Sequence, residues 1–383
     1  MISEIRHGAS QRQVAKKYGY YLSTVQYWIK RTAGQRLDRI NWDDRPPIAK
    51  KLNRAPKAIE DKILDVRKVL RKVSDLGEYG AEAICRELVS QGIKDAPCPR
   101  TIGRILERRG ALDGKTRVRR PTPPRGWYLP DVANKHSELD SFDVVEDLVI
   151  KGGTHVDVLN GISLHGRLPA SWPMEMVSAK TSVVSLIEHW REVGLPQYAQ
   201  FDNDTRFQGA HQHKDSIGRV IRLCLGLGVI PVFAPPREKG FQASIENYNG
   251  RWESKVWARF QHKDIADLTI RSDRYVAAYR SRMAQYIKAA PPRRPFPEGW
   301  KLDLQAHPQG RIIYLRRTSE KGTVDILGHI FNVDEHWLHR LVRCEVDLQA
   351  ERIKFYQLRR MEPNDQPCLG EVAYKLLRKR FHE

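Results

Sequence analysis

Three carboxylates in the middle of the chain stand where they could hold metal: Asp140 in SELDSFDVVEDLVI, Asp202 in YAQFDND and Glu246 in ASIENYNGRW. Two divalent ions about 3.5 to 4 Å apart need a few hard oxygen donors converging from separate elements. A strand, the end of another strand and the start of a helix, gathered on one side of a sheet, would supply them rigidly. A single Asp at a strand end is more often a turn or cap residue; it is the set of three that carries the chemistry. Asp143, Asp147 and Asp204 are the nearest substitutes and read as supporting or surface residues. His211 and His213 have no Cys or further His at ligand spacing and read as loop histidines. No Ser-His-Asp arrangement, P-loop or Gly-rich dinucleotide motif occurs.

The elements that must position these carboxylates follow from the local pattern. From residue 137 three short β-rich segments divided by Gly and Pro read as a meander. AKTSVVSLIEHWREVG then reads as a helix, YAQFDND as a strand, GRVIRLCLGLG as a helix, VIPVFAPP as a strand, and ASIENYNGRWESKVWARF as a helix. The order βββαβαβα is that of a ribonuclease-H-like α/β core with a mixed sheet. On the last helix Ile245, Tyr248, Trp252 and Val256 form an apolar stripe, and Glu246, Gly250 and Glu253 share another face.

The charge is distributed unevenly around this core. Of the net +20, residues 1–130 carry +15, residues 131–250 carry −4 and residues 251–383 carry +9. Basic modules flanking an acidic centre point to a polyanion, and nucleic acid is the obvious one. In the front, Ser10 and Ser23 each open a capping-box pattern, which predicts two helices with a Gly19 turn, a helix-turn-helix over 1–45. Thr24, Gln26, Tyr27, Lys30 and Arg31 would face DNA from the second helix. Residues 55–112 predict a second all-α DNA-binding unit, whose last helix carries Arg100, Arg104, Arg108 and Arg109 as candidate DNA contacts. A basic Pro-rich linker spans 113–130, with Lys115, Arg117, Arg119, Arg120 and Arg125 placed to track a phosphate backbone. The core is bounded as 131–288, a Pro-rich linker as 289–300, a small C-terminal β-barrel with a basic face as 301–361, and a basic tail as 362–383. The five scattered cysteines form no CxxC and predict reduced thiols. No stretch is long and apolar enough for a bilayer, so the expected setting is cytoplasmic and nucleoid-associated, with no membrane partner.

The blocks EL-Asp140-SFD, QF-Asp202-Asn203-Asp204-Thr205-Arg206-Phe207 and EKGFQASI-Glu246-NYNGRW resemble those of the DDE transposases of bacterial insertion sequences, with a retroviral-integrase-like core. The resemblance covers about residues 5 to 285. It implies a metal-binding catalytic triad of Asp140, Asp202 and Glu246, supported by Asn203 and Asn247, holding two Mg²⁺ or Mn²⁺ ions per site. The implied activity is phosphodiester hydrolysis at terminal inverted repeats followed by strand transfer into target DNA. The implied partners are double-stranded DNA, at transposon ends and target, and further copies of the chain in a dimer or higher multimer. Asp204 stands where the family usually has Gly, and 43 residues separate Asp202 from Glu246, more than is usual. The alternatives are an inactive, domesticated copy acting as a DNA-binding regulator and a structure-specific nuclease of the ribonuclease-H class.

Overall fold

The computed structural model describes residues 1–43, 55–93, 95–112, 124–210, 213–238 and 240–381. The chain divides into two compact units, Met1–Lys57 and Ala58–Glu383.

The first unit packs three helices, α1 (Ile2–Arg6), α2 (Gln11–Tyr18) and α3 (Leu22–Thr32), around Ile2, Val14, Ala15 and Val25. Gly19 ends α2 in the left-handed region (φ 70°), where glycine bears no Cβ penalty, and the Tyr20 N–H caps the Ala15 carbonyl at 3.0 Å. The second helix starts one residue before the expected Ser23 cap, and neither Ser10 nor Tyr21 makes a side-chain cap. Arg6 fastens α1 to the end of α3 through the Thr32 carbonyl at 2.6 Å.

The second unit opens with α4 (Lys57–Val73), α5 (Ala81–Ser90) and α6 (Pro99–Arg108), which bury Ile63, Val66, Ile84, Leu88, Ile102 and Ile105. After the short α7 (Pro130–Ala133) come the strands β1 (Leu139–Ile150), β2 (Thr154–Ser163) and β3 (Pro169–Met174), then α8 (Ala179–Val193) and β4 (Tyr198–Phe201). The turn α9 (Thr205–Gln208), α10 (Arg219–Gly226), β5 (Ile230–Phe233), α11 (Ala243–Trp252) and the long α12 (Ile265–Lys288) follow. α11 runs into a π turn at Glu253–Trp257.

The expected βββαβαβα order is present. β1, β2 and β3 pair antiparallel, while β1, β4 and β5 pair parallel, giving the sheet order β3-β2-β1-β4-β5 of a ribonuclease-H-like core. β4 and β5 are buried at every position, as a parallel sheet covered on both faces requires. A bulge between Val145 and Leu148, with Asp147 at φ 60°, bends the far end of β1.

Beyond α12 the structure departs from the expected linker, barrel and tail. β6 (Arg311–Arg317) pairs parallel with β5. After the separate hairpin β7 (Thr323–Ile326) and β8 (His329–Asn332), β9 (Leu341–Asp347), β10 (Arg352–Gln357) and β11 (Cys368–Ala373) extend one open sheet of nine strands. Short basic strands read alike whether they close on themselves or extend a neighbour. What decides is the edge of β5, whose backbone groups β6 satisfies. Nor do the arginines of this region form one basic face: Arg343 is buried beside Glu345 at 3.3 Å, and Arg316 lies over the Tyr314 ring.

The Pro-rich 289–300 segment is a strap rather than a free linker. Leu195 and Arg294 form a two-bond bridge, at 2.7 and 3.0 Å, and the Trp300 indole donates to the Gly226 carbonyl at 3.2 Å. Just before the first of them, Arg293 reaches the interior. Its guanidinium takes both oxygens of Asp140, one at 3.0 Å, and the Trp190 indole donates to the same carboxylate at 3.2 Å. Asp140 is 1% exposed. Burial works against the charge on Arg293, but the adjacent carboxylate outweighs it and holds the guanidinium more firmly protonated than usual.

Removing one partner of such a pair strands the other charge in the core, which costs about 3–5 kcal/mol. Asp140→Ala is therefore expected to lower the melting temperature sharply, and Asp140→Leu combined with Arg293→Met to recover much of the loss in the same thermal melt.

Candidate active site

Successive side chains of a strand point to opposite faces. On β1, Asp140 and Phe142 face α8, where both meet Trp190. Ser141, Asp143 and Val145 therefore face the other way, toward α11, where Val145 packs in one cluster with Ile245, Tyr248 and Trp252. The parallel register sets Asp140 beside Ala199 and Ser141 beside Gln200; two residues further along, Asp143 falls beside Asp202. Gln200, two before Asp202, accepts from the Ser141 hydroxyl at 3.0 Å, so Asp202 shares that face.

The structure thus brings together Asp143 and Asp202, with Glu246 on the first turn of α11 close enough for its charge to act on Asp143. Asp140 is not among them: it lies on the opposite face, neutralised by Arg293. The reason is parity, since an offset of three residues in DSFD changes the face. No signal in the sequence alone separates Asp143 from Asp140; the register of β1 against β4, which sets the face beside Asp202, does.

The surroundings of Asp143 are built. Asn249, one turn beyond Glu246 and 8% exposed, donates its Nδ2 to Asp143 at 2.8 Å and accepts from Asn160 on β2 at 3.0 Å. Gly250, expected on this face, contributes no side chain, and Asn249 takes the role that sequence reasoning left unassigned. Asp202 accepts from the Asp204 N–H at 3.1 Å. Asp204 caps α9 and binds Arg206, which also reaches Glu146 at 2.7 Å. Asn203 anchors the loop through the Ala234 carbonyl at 2.5 Å, while Asn247 is exposed.

Burial, then the charges of Asp202 and Glu246, push the Asp143 carboxyl up to about 6; burial, with Asp204 nearby, also raises Asp202. Among the described residues no Lys, Arg or His forms an ion pair with Asp143, Asp202 or Glu246. Hard oxygen donors with no ion-paired cation, Arg206 acting on Asp202 only through space, suit a divalent cation. No three acidic, His or Cys side chains among the described residues converge into a finished cage, because Glu246 is exposed on its helix.

The expected DNA contacts divide in the same way. Gln26, Tyr27 and Lys30 are exposed along α3, Thr24 is half-buried, and Arg31 packs over the Trp28 ring at 4.5 Å and donates to the carbonyls of Asn41 and Asp43. Arg100 and Arg104 are exposed on α6. Arg108 is instead paired with Glu60, and Arg109 with Glu60 and Asp61 at 3.2 and 2.7 Å. Lys115, Arg117, Arg119, Arg120 and His211 lie outside the described residues. No helix among the described residues is long and apolar enough to cross a membrane.

No protein-family model and no curated protein matches the chain. Among solved structures it is similar to a chain of the simian T-cell lymphotropic virus intasome in complex with PP2A regulatory subunit B56 gamma, at 13% identity and TM-score 0.34, covering 78% of this chain and 95% of that one. It is also similar to the catalytic core domain of BIV integrase (13%, TM-score 0.29, 40% and 99% covered). A third is the HTLV-2 integrase catalytic core domain in complex with magnesium (9%, TM-score 0.28, 41% and 87% covered). Likenesses of this size leave the fold to be read from the sheet order itself, which defines an α/β protein with a ribonuclease-H-like core.

The raised Asp143 group makes a pH-dependent prediction for the metal-free protein. The unfolded chain ionises this carboxyl near 3.8, whereas the folded protein ionises it only near 6. Folding therefore bears a penalty that is absent below the lower value and complete above the higher one. Asp143→Asn is expected to raise the melting temperature in chelator at about pH 8, by about 2–4 °C for each kcal/mol relieved, with the gain vanishing at about pH 4.

Proposed function

We propose that the chain is a DNA transposase of the DDE type, cutting and joining phosphodiesters with Asp143, Asp202 and Glu246 as the catalytic carboxylates. The observation that carries this reading is the pair Asp143–Asp202, one on β1 and the other just past the end of the neighbouring parallel β4, facing α11 and without an ion-paired cation among the described residues. Asp143 and Asp202 would hold divalent Mg²⁺ or Mn²⁺, and Glu246 would turn inward from α11 to complete the set. Bound there, the ions would supply positive charge to offset what develops on the phosphate oxygens. Asn249 fixes Oδ2 of Asp143, with Asn160 behind it as a brace. The hydrogen bond from the Asp204 N–H orients Asp202 in the same way. The exposed polar face of α3 and the exposed Arg100 and Arg104 of α6 would bind terminal repeats, and two ends would require at least two copies of the chain.

On DNA carrying the element's own ends, Asp143→Asn, Asp202→Asn and Glu246→Gln are expected each to reduce Mg²⁺- or Mn²⁺-dependent nicking to background, and Asn249→Ala to reduce it about 10–100-fold. Asp140→Asn, assayed on its folded fraction, keeps metal-dependent cutting. Cutting that survives Asp143→Asn but not Asp140→Asn would overturn the assignment. Cleavage without joined products would point to a nuclease, and repeat binding without cleavage to a DNA-binding regulator.

A further inference from the structure

Directly beside the carboxylates lies a cleft of about 580 Å³ whose chemistry is of the opposite sign. Its floor includes Ser141 and Gln200, each two residues before a candidate catalytic Asp on the same face of the sheet, a step of about 7 Å along the strands. One wall is the start of α11, ending at Asn247 next to Glu246. Four arginines from four parts of the chain line it: Arg125 before α7, Arg167 between β2 and β3, Arg251 on α11 and Arg360 after β10. None of the four has a carboxylate partner among the described residues: Arg125 donates to the Leu164 carbonyl, Arg167 lies over the Tyr286 ring, Arg251 meets the Tyr279 hydroxyl and Arg360 lies over the Trp127 ring.

These arginines also oppose one another. Burial, followed by the charge of Arg167, lowers the pKa of Arg125, which makes an anion in the cleft favourable. Two further features exceed what a simple anion needs. Tyr128 and Phe241 give the cleft an apolar side, with ring centroids 5.3 Å apart. The Gln200 amide, 1% exposed, gives its oxygen to Ser141 and turns its Nε2 toward the Tyr128 hydroxyl. An amide nitrogen carries two N–H donors and that hydroxyl can take one; a carbonyl or ring nitrogen entering the cleft would satisfy the other.

We propose that this cleft is a subsite for one unpaired nucleotide of the DNA strand being processed, its phosphate on the arginines and its base against Tyr128 and Phe241 within reach of Gln200. The double helix is far too broad for a cleft of this size, so the occupant is a nucleotide freed from pairing next to the bond that reacts. This inference rests on the carboxylates being the reacting centre, and its test is arranged to stand apart from that reading.

Binding is measured in chelator, where no metal-dependent cutting occurs, using the full chain and fluorescein-labelled DNA, either a blunt duplex or the same duplex with a short single-stranded tail. The wild type is expected to prefer the tailed DNA. Arg360→Glu and Arg167→Glu should each weaken tailed binding by at least about tenfold, the size of one lost charged hydrogen bond, while blunt binding changes less than about twofold. Arg360→Lys should restore most of the preference, which a folding defect would not permit. A 4-thiothymidine in the tail should cross-link to peptides containing Tyr128 or Phe241. Equal weakening on both DNAs, or cross-links confined to other segments, would overturn the proposal. Arginine-dependent binding of free dTMP with no preference for the tail would overturn it in favour of a mononucleotide site. Loss of cleavage in every preparation, with the tail preference intact, would sink the transposase reading and leave the subsite standing.

Discussion

The two faces of β1 are the constraint on which the rest depends. One strand carries a buried, neutralised carboxylate on its α8 side and an uncompensated carboxylate on its α11 side, three residues apart. The two could not exchange roles. Asp140 is buried with a guanidinium against it, and a carboxylate so paired has little to offer a metal. Asp143 has an amide, two acidic neighbours and no cation, the arrangement in which a carboxyl titrates high and a divalent ion is favourable. The first stabilises the molecule and the second stores the electrostatic strain that a ligand would relieve.

Arg293 links that strand to everything after α12. A strap that enters the core on a bidentate ion pair and is clamped at Leu195 and Gly226 delivers β6 to the free edge of β5. One hydrophobic cluster then runs from Phe142 and Trp190 through Phe233 to Tyr314 and Phe355. The C-terminal strands thereby share one core with the strand that carries Asp143.

Much of this was legible from residues alone, and the failures have identifiable causes. The strand and helix order, the apolar stripe Ile245, Tyr248, Trp252 and Val256, and the stations of Asp202 and Glu246 all follow from local periodicity. The choice between Asp140 and Asp143 does not, because it depends on which neighbour supplies the register, and the pairing of β1 with β4 joins residues about sixty apart. The same holds for the tail, where proline and charge exclude a helix but do not say which strand edge is vacant. Arg108 looked like a phosphate contact because its partner Glu60 lies far back in the chain. Asn249 went unremarked because an amide gains meaning only from the carboxylate it meets.

The net charge of +20 acquires its sense at this local scale. A phosphodiester strand approaching three carboxylates alone would be repelled, and divalent ions answer that repulsion only where they sit. On the proposed reading, the arginine cleft a few ångströms further along the same strands would attract the neighbouring phosphate without metal, through side chains from four separate parts of the chain. Placing attraction beside repulsion along one sheet would set the position of the strand before any metal arrives. The carboxylates would then have only to complete a geometry that the arginines have already selected.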